Sequence, residues 1–306
     1  MAEHPDQDPT PHPEDLHRPV LAWYDEHARD LPWRGPHATP WRVLVSEFML
    51  QQTPVSRVLP VFEAWLETWP TPASLAAASS GEAVRAWGRL GYPRRALRLH
   101  ATAVALVEHH GGEVPASYDE LISLPGVGDY TASAIASFAF GARHAVLDTN
   151  VRRVLARAAG GVELPAQSVT RAERTLAESL LPVADGDTDA ATWAVATMEL
   201  GALVCTARDP HCGACPIVDR CAWVIAGRPA YDGPPRRAQT WTGTDRMVRG
   251  KLMAVLREAE GSVSSARLDA AWPEPVQRQR AVQSLITDGL MICTPNGRFS
   301  LPGSGT

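Results

Sequence analysis

The sequence predicts an all-α protein of more than one domain, with a small α+β module at its C-terminal end. Three observations carry that expectation. Apolar residues recur at helical spacing through one short segment after another, as in Trp41–Thr53, where Trp41, Leu44, Val45, Phe48 and Met49 fall on one stripe. Strand-like alternation is missing until the last segment of the chain. There, Pro295-Asn296-Gly297 supplies a strong hairpin signal. A chain of 306 residues has room for two or three domains, and its composition is that of a soluble globular protein.

In chain order, Met1–Pro13 is rich in Pro, His and Asp without periodicity and reads as a disordered tail. Leu16–Ala28 places Leu16, Val20, Trp23 and Tyr24 at helical spacing, and Leu31-Pro32-Trp33-Arg34 breaks the pattern. Trp33 lines either a pocket or the core. Trp41–Thr53 is the next helix, closed by Pro54. Glu47 lies near the edge of its apolar stripe, as either a solvated residue or a buried functional acid. Helices are expected over Val55–Trp69, Thr71–Ala78, Gly81–Leu90 and, after the turn Gly91-Tyr92-Pro93, Arg94–His110.

Ser117–Ser123 is a short amphipathic run that Leu124-Pro125-Gly126-Val127-Gly128 interrupts before Asp129 opens a small-residue helix. Both glycines can take φ > 0 and admit a close backbone, and the amides of such a turn at a helix start favour an anion. The apolar run Val146-Leu147 ends in Asp148, on residue type alone as readily a helix N-cap as a functional carboxylate. Helices follow over Thr149–Ala159, Ser168–Leu181 and Asp189–Val204, the last apolar nearly all round and therefore buried. A Pro/Arg-rich linker leads to helices at Thr244–Glu258, Ser264–Ala271 and Val276–Asp288, then strands at Leu290–Thr294 and Arg298–Leu301. Three helices and a hairpin look like a winged-helix module, which either touches DNA or only packs.

The net charge of −5 is unevenly spread. The first thirty residues are acidic, whereas Arg85–Arg98 holds Arg85, Arg89, Arg94, Arg95 and Arg98 and no acid, a local basic face of the kind phosphates favour. No apolar run of membrane-spanning length and no signal peptide are visible, so a cytoplasmic location is expected. Cys205, Cys212, Cys215 and Cys221, spaced x6, x2 and x5, point to metal rather than disulfides in that compartment. Four thiolates suit a structural zinc or an iron–sulfur cluster. Cys293 stands apart and reads as a small core residue. Lys251 is the only lysine.

The Leu-Pro-Gly-Val-Gly hairpin, the Leu-Asp-Thr-Asn-Val-Arg-Arg-Val segment at 147–154 and the cysteine spacing together resemble the helix-hairpin-helix DNA glycosylase superfamily (HhH-GPD). The likeness is nearest to its MutY-type adenine DNA glycosylases over about residues 16–228. It is carried by LPWR (31–34), SEFMLQQT (46–53), LGYPRRALRL (90–99), LPGVGDYTASAI (124–135), LDTNVRRVLAR (147–157) and the four cysteines. The resemblance implies a two-domain helix-hairpin-helix glycosylase fold with a [4Fe–4S] loop. The implied domains are a core over 14–228 (a six-helix domain about 31–147 and a cluster domain of 14–30 plus 148–228), a linker over 229–243 and the winged-helix-like module over 244–306.

It further implies excision of adenine opposite 8-oxoguanine or guanine in double-stranded DNA, by a monomer associated with the nucleoid. Breaking an N-glycosidic bond requires protonation of the leaving base and stabilisation of the sugar cation, work that paired carboxylates do in glycoside hydrolysis. By resemblance Glu47 protonates adenine at N7, Asp148 stabilises or captures C1′, and Asn150 supports Asp148. An apolar setting would raise the Glu47 pKa as an acid requires, while the helix start at Asp148 would keep that group charged. Tyr130 stands where bifunctional relatives carry lysine. Gln52 and Tyr92 are the expected wedge, Tyr92 alternatively being a core aromatic, Leu90 is a further expected DNA-binding residue, and Gly126, Val127 and Gly128 are the DNA-holding hairpin. Cys205, Cys212, Cys215 and Cys221 are the cluster ligands.

The chain departs from the pattern in two places. Pro93 replaces a second aromatic, and residues 222–306 contain no histidine, so the family's Phe-Ser-His reading loop is missing. Competing readings are a thymine or uracil mismatch glycosylase, an endonuclease III-like lyase, which requires an amine, and a non-catalytic hairpin DNA-binding protein.

Overall fold

A computed structural model describes residues 12–183, 189–234 and 242–303. Most of the expected tail, and residues 235–241 of the expected linker, lie outside the described residues. Helix α1 (Pro13–His27) starts on a proline, which suits the first helical position. Next come α2 (Pro40–Leu50) and α3 (Val55–Thr68). Helices α4 (Pro72–Ala77) and α5 (Ser80–Ala86) are short, and each is set by a capping box, from Thr71 with Ser74 and from Ser79 with Glu82. Helix α6 (Arg94–His109) precedes α7 (Tyr118–Ser123) and α8 (Asp129–Phe140), the pair that brackets the glycine turn.

Helix α9 (Thr149–Ala158) is capped by Asp148. Helix α10 (Arg171–Ser179) begins three residues later than its apolar pattern suggests, because the Thr170–Glu173 capping box starts it there. Helix α11 (Ala190–Leu203) is buried along most of its length, as its composition requires. Past the cysteine loop come α12 (Ala222–Ile225), α13 (Asp245–Glu258), α14 (Ser265–Ala271) and α15 (Pro275–Thr287), then β1 (Ile292–Cys293) and β2 (Phe299–Ser300). No helix of the described residues is long and apolar enough to cross a membrane.

Two compact units result. The first takes Met1–Val43, Ala116–Ile122 and Gly128–Pro235. Its core gathers Leu16, Val20, Val154, Leu155, Trp193 and Leu200 where α11 packs on α1, α8 and α9. A Cβ on Gly201 would lie 2.7 Å from the Asn150 Cβ and 2.8 Å from the Asn150 carbonyl oxygen, so glycine alone lets α11 approach the first turn of α9. Trp33 is buried in this unit.

The second unit takes Leu44–Pro115, Ser123–Val127 and Arg236–Thr306. Trp65 meets Trp69 and Trp87 edge-on at 4.6 and 5.7 Å between centroids, a favourable geometry for buried rings. The division differs from the expected domain boundaries. Helix α8 belongs with the cysteine loop, and the C-terminal module belongs with α3–α6 instead of standing alone behind a linker. The reason is close packing. Arg85 donates to the carbonyls of Arg257 and Ala259, Arg257 Nε donates to Val84 O at 3.1 Å, and a Cβ on Gly81 would fall 2.1 Å from the Pro302 carbonyl.

Within the module, β1 pairs antiparallel with β2, and Val263 bridges Phe299. Cys293, expected in the core, is exposed instead, because both residues of β1 face outward.

Candidate active site and cysteine loop

Asp148 is both a cap and the centre of a hydrogen-bonded group. Its Oδ1 accepts from the amides of Asn150 and Val151 at 2.9 and 2.6 Å, and its Oδ2 accepts from Asn150 Nδ2 at 2.8 Å. Its pKa is nevertheless pushed up, because desolvation by the surrounding protein outweighs the donors and the Arg153 charge. The expected effect of the helix start is therefore present but is not the larger influence.

Asn150 Oδ1 in turn accepts from Arg153 Nη2 at 2.8 Å. Arg153 continues to the carbonyls of Gly201 at 2.5 Å and Cys205 at 2.6 Å. One connected network thus runs from the Asp148 carboxylate to the start of the cysteine loop. Arg153 was not among the residues singled out from the sequence, since its partners lie about fifty residues away.

Cys205, Cys212, Cys215 and Cys221 line one pocket, walled by Val204 and Trp223 among others. Arg157, 2% exposed, donates Nη1 to Cys205 Sγ at 3.3 Å and to the Thr206 carbonyl at 2.7 Å, and its guanidinium lies 4.9 Å from the Trp223 ring centroid. Its Nη2 is buried with no hydrogen-bond partner among the described residues. Burial first, and then the neighbouring thiols, push the Cys215 pKa up to about 11, and Cys221 is raised on the same grounds. Four convergent sulfurs, a dry wall and a buried cation fit an anionic iron–sulfur cluster, whose iron would hold the thiols ionised. Arg208 and His211, in the same loop, are exposed.

In the second unit Glu47 is buried at 5% exposure on α2, rather than at the edge of a solvated face. Gln52 and Tyr92 are exposed and both have positive φ, 55° and 46°, a left-handed backbone that bulky residues adopt only where the surroundings impose it. Arg95 imposes it. Buried at 5% exposure, it donates to the carbonyls of Phe48, Met49 and Gln51 at 2.9, 3.0 and 2.6 Å, and to Thr53 Oγ1 and Gly91 O at 2.9 and 3.1 Å. One guanidinium therefore caps the end of α2, which carries Glu47, and ties the Gln52 turn to the Tyr92 turn. Burial lowers its pKa to about 10. Leu90 is not a surface residue: it is 3% exposed, and its carbonyl accepts from Thr53 Oγ1 at 3.3 Å.

At the hairpin, Gly126 has φ 80°, and a Cβ would lie 2.6 Å from that of Arg98. Gly128 is extended at φ −106° with open space around it, so only Gly126 needs to be glycine on steric grounds. Val127 is buried. Thr102 Oγ1 pins the turn by donating to Pro125 O at 2.6 Å. Tyr130, half-buried on α8, packs beside Ala134, Val146 and Ala194.

A helix-glycine turn-helix followed by a capping aspartate and a four-cysteine loop defines a class of base-excision proteins. The family signature of the HhH-GPD superfamily base excision DNA repair proteins matches residues 45–179, and that of the iron-sulfur binding domain of endonuclease III matches residues 205–221. A thymine-DNA glycosylase structure aligns with TM-score 0.61 and 24% identity over 70% of this chain and 97% of its own, which establishes the fold.

The adenine DNA glycosylase of Mycobacterium tuberculosis is 54% identical over 288 residues, 94% of this chain and 93% of that protein. That of Mycolicibacterium smegmatis is 52% identical over 94% of this chain and 96% of its own. The human adenine DNA glycosylase is 42% identical over 66% of this chain and 38% of its own length. The chain belongs to the adenine DNA glycosylase family and carries an iron–sulfur binding domain, with the four cysteines as candidate ligands of a [4Fe–4S] cluster.

Replacing one ligand should expose the cluster's structural role. Cys212→Ser is expected to lose most of the iron–sulfur absorption of anaerobically purified protein and to weaken duplex binding. Zinc without iron in the unsubstituted protein would contradict this assignment.

Proposed function

We propose that the protein is a monofunctional adenine DNA glycosylase that removes adenine opposite 8-oxoguanine or guanine from double-stranded DNA, acting as a monomer at the nucleoid. What supports this most is the identity of 54% to an adenine DNA glycosylase across nearly the full length of both chains, with a donor-held carboxylate at Asp148. Glu47, buried on α2, gives its proton to adenine N7. The C1′–N9 bond electrons pass to the base. Asp148 stabilises the oxocarbenium charge left at C1′, and water adds there, releasing one proton. Burial that disfavours an isolated carboxylate also strengthens its attraction for a sugar cation. Asn150 and Arg153 orient it. Gln52 and Tyr92 fill the stack when the adenine leaves it, as base flipping requires. The cluster bears no part in bond cleavage; its ligands order the loop that Arg153 and Arg157 touch.

A lyase would form an imine between C1′ and an uncharged amine. Tyr130 offers a phenol, which cannot do so, and Lys251 lies in the C-terminal module. A panel of A·8-oxoguanine, A·G, T·G and U·G duplexes, assayed with and without borohydride, tests the whole reading. Adenine release from the first two duplexes is expected, with strand cleavage only after alkali and no covalent adduct. Thymine or uracil release alone would replace adenine as the substrate, and a strong borohydride adduct would refute monofunctionality. Tyr130→Lys is the complementary variant, expected to install some trapping.

A further inference from the structure

We propose that helix α13 of the C-terminal module is part of the lesion-reading apparatus, with Arg246 as a positioning residue that acts through Tyr92. The inference rests on the reading above, in which the chain excises mispaired adenine. The Arg246 guanidinium lies 4.5 Å from the centroid of the Tyr92 ring, inside cation–π range, and Arg95 reaches the same ring at 5.5 Å. Tyr92 is 41% exposed and left-handed; Arg95 holds the turn through Gly91 O, and Arg246 rests against the ring.

Helix α13 is fixed well enough to serve. At one end, Arg257 and Ala259 are tied to α5 by the Arg85 and Arg257 bonds. Beside Tyr92, Asp288 at the end of α15 joins Arg94 at 3.2 Å to Arg249 at 2.5 Å, linking the start of α6 to α13. Arg246 and Arg257 stand roughly 17 Å apart along the helix, given the α-helical rise. The helix is thus a strut from α5 to the Tyr92 turn. The neighbouring carboxylate, Asp245, is engaged by Arg280 at 2.9 Å and by Gln277 at 3.1 Å.

A guanidinium resting on an exposed ring preorganises it and brings positive charge to that turn. An aromatic wedge held in one orientation discriminates between partner bases by how well each stacks on it. Loss of that hold should therefore fall harder on A·8-oxoguanine than on A·G. Deleting the module would strip the packing from Gly81 and Val84, so single substitutions at the exposed Arg246 are the informative change.

Arg246→Met and Arg246→Lys are made in the otherwise unaltered full chain and together with Tyr92→Ala. Single-turnover adenine release is measured on A·8-oxoguanine and A·G duplexes. Affinity is measured for a duplex carrying uncleavable 2′-fluoro-deoxyadenosine opposite 8-oxoguanine. Arg246→Met is expected to lower the A·8-oxoguanine to A·G rate ratio roughly three- to tenfold, Arg246→Lys to recover most of it, and neither to matter once Tyr92 is alanine. Equal loss on both duplexes, or an undiminished loss with Tyr92→Ala, would make Arg246 a plain phosphate contact and overturn the proposal. Should the unsubstituted protein release no adenine from either duplex, the adenine reading fails by itself. The Arg246 inference is then decided by affinity for the 2′-fluoro duplex, where the same dependence on Tyr92 sustains it and its absence ends it.

Discussion

Asp148→Asn should bind mispaired duplex nearly as well as the unsubstituted protein and excise adenine slower by about two to four decades, the usual scale for losing such a group. The structure makes this substitution informative. Asparagine caps helices about as well as aspartate, and one side-chain oxygen can still accept from the Asn150 and Val151 amides that Asp148 Oδ1 serves. What is lost is the charge. The new amide would also face Asn150 Nδ2, donor to donor, where Oδ2 now accepts at 2.8 Å. That mismatch costs on the order of 1–3 kcal/mol, too little to unfold the unit and enough to show in a melt.

Glu47→Gln should give a loss of similar size with intact binding, because the acid is removed without a change in shape. The pH dependence carries a sign as well. Burial raises the Asp148 pKa, so the fraction ionised, and with it the rate, falls on acidification sooner than for an ordinary aspartate. Full-rate adenine release by either variant would remove the two-carboxylate mechanism.

Glu199→Ala should be among the most destabilising single substitutions in the first unit. Its carboxylate is wholly buried and is held by Arg29 Nε at 2.6 Å, Arg29 Nη2 at 2.8 Å and Arg34 Nη1 at 3.0 Å. Removing one member of a buried pair strands the others, at about 3–5 kcal/mol. Arg29 remains about a third exposed, with 35% of its side chain accessible, so about 3 kcal/mol is the better expectation. Burial alone would raise the Glu199 pKa, but the two arginines and the Arg29 amide together hold it below its ordinary value.

A depressed carboxylate pKa contributes stability that is full above the unfolded-state value and is lost as pH falls through the folded value. Denaturant titrations of the unsubstituted protein at pH 7 and at about pH 3, the second well below the ordinary glutamate value, should therefore show an acid-labile component that Glu199→Ala lacks. A variant within half a kcal/mol of the unsubstituted protein, given the usual scatter of surface substitutions, would show that the cluster of charges contributes little. Because Glu199 stands two residues before Gly201, whose backbone lies against Asn150, the same variant should also slow excision.

The sequence by itself determined whatever is local. Helix extents came within a few residues of those observed because caps and apolar periodicity act within a turn or two of the chain. Asp148 and Asn150 were legible because one turn of α9 places both on the same cap, and the cysteine loop because its ligands fall within one short segment. The glycine turn was legible as a turn, although only Gly126 proves to need its glycine.

Tertiary structure alone decided which side chains meet across long separations. Arg153 reaches Cys205, Arg95 spans from Phe48 to Gly91, and Glu199 gathers Arg29 and Arg34. Arginine on a helix reads as a solvated cation until the fold supplies carbonyls or a carboxylate for its planar fork. Tertiary structure likewise turned Leu90 inward and Cys293 outward, and seated the C-terminal module on Gly81. Those outcomes depend on which surface arrives opposite each residue, and a local pattern carries no record of its distant neighbour.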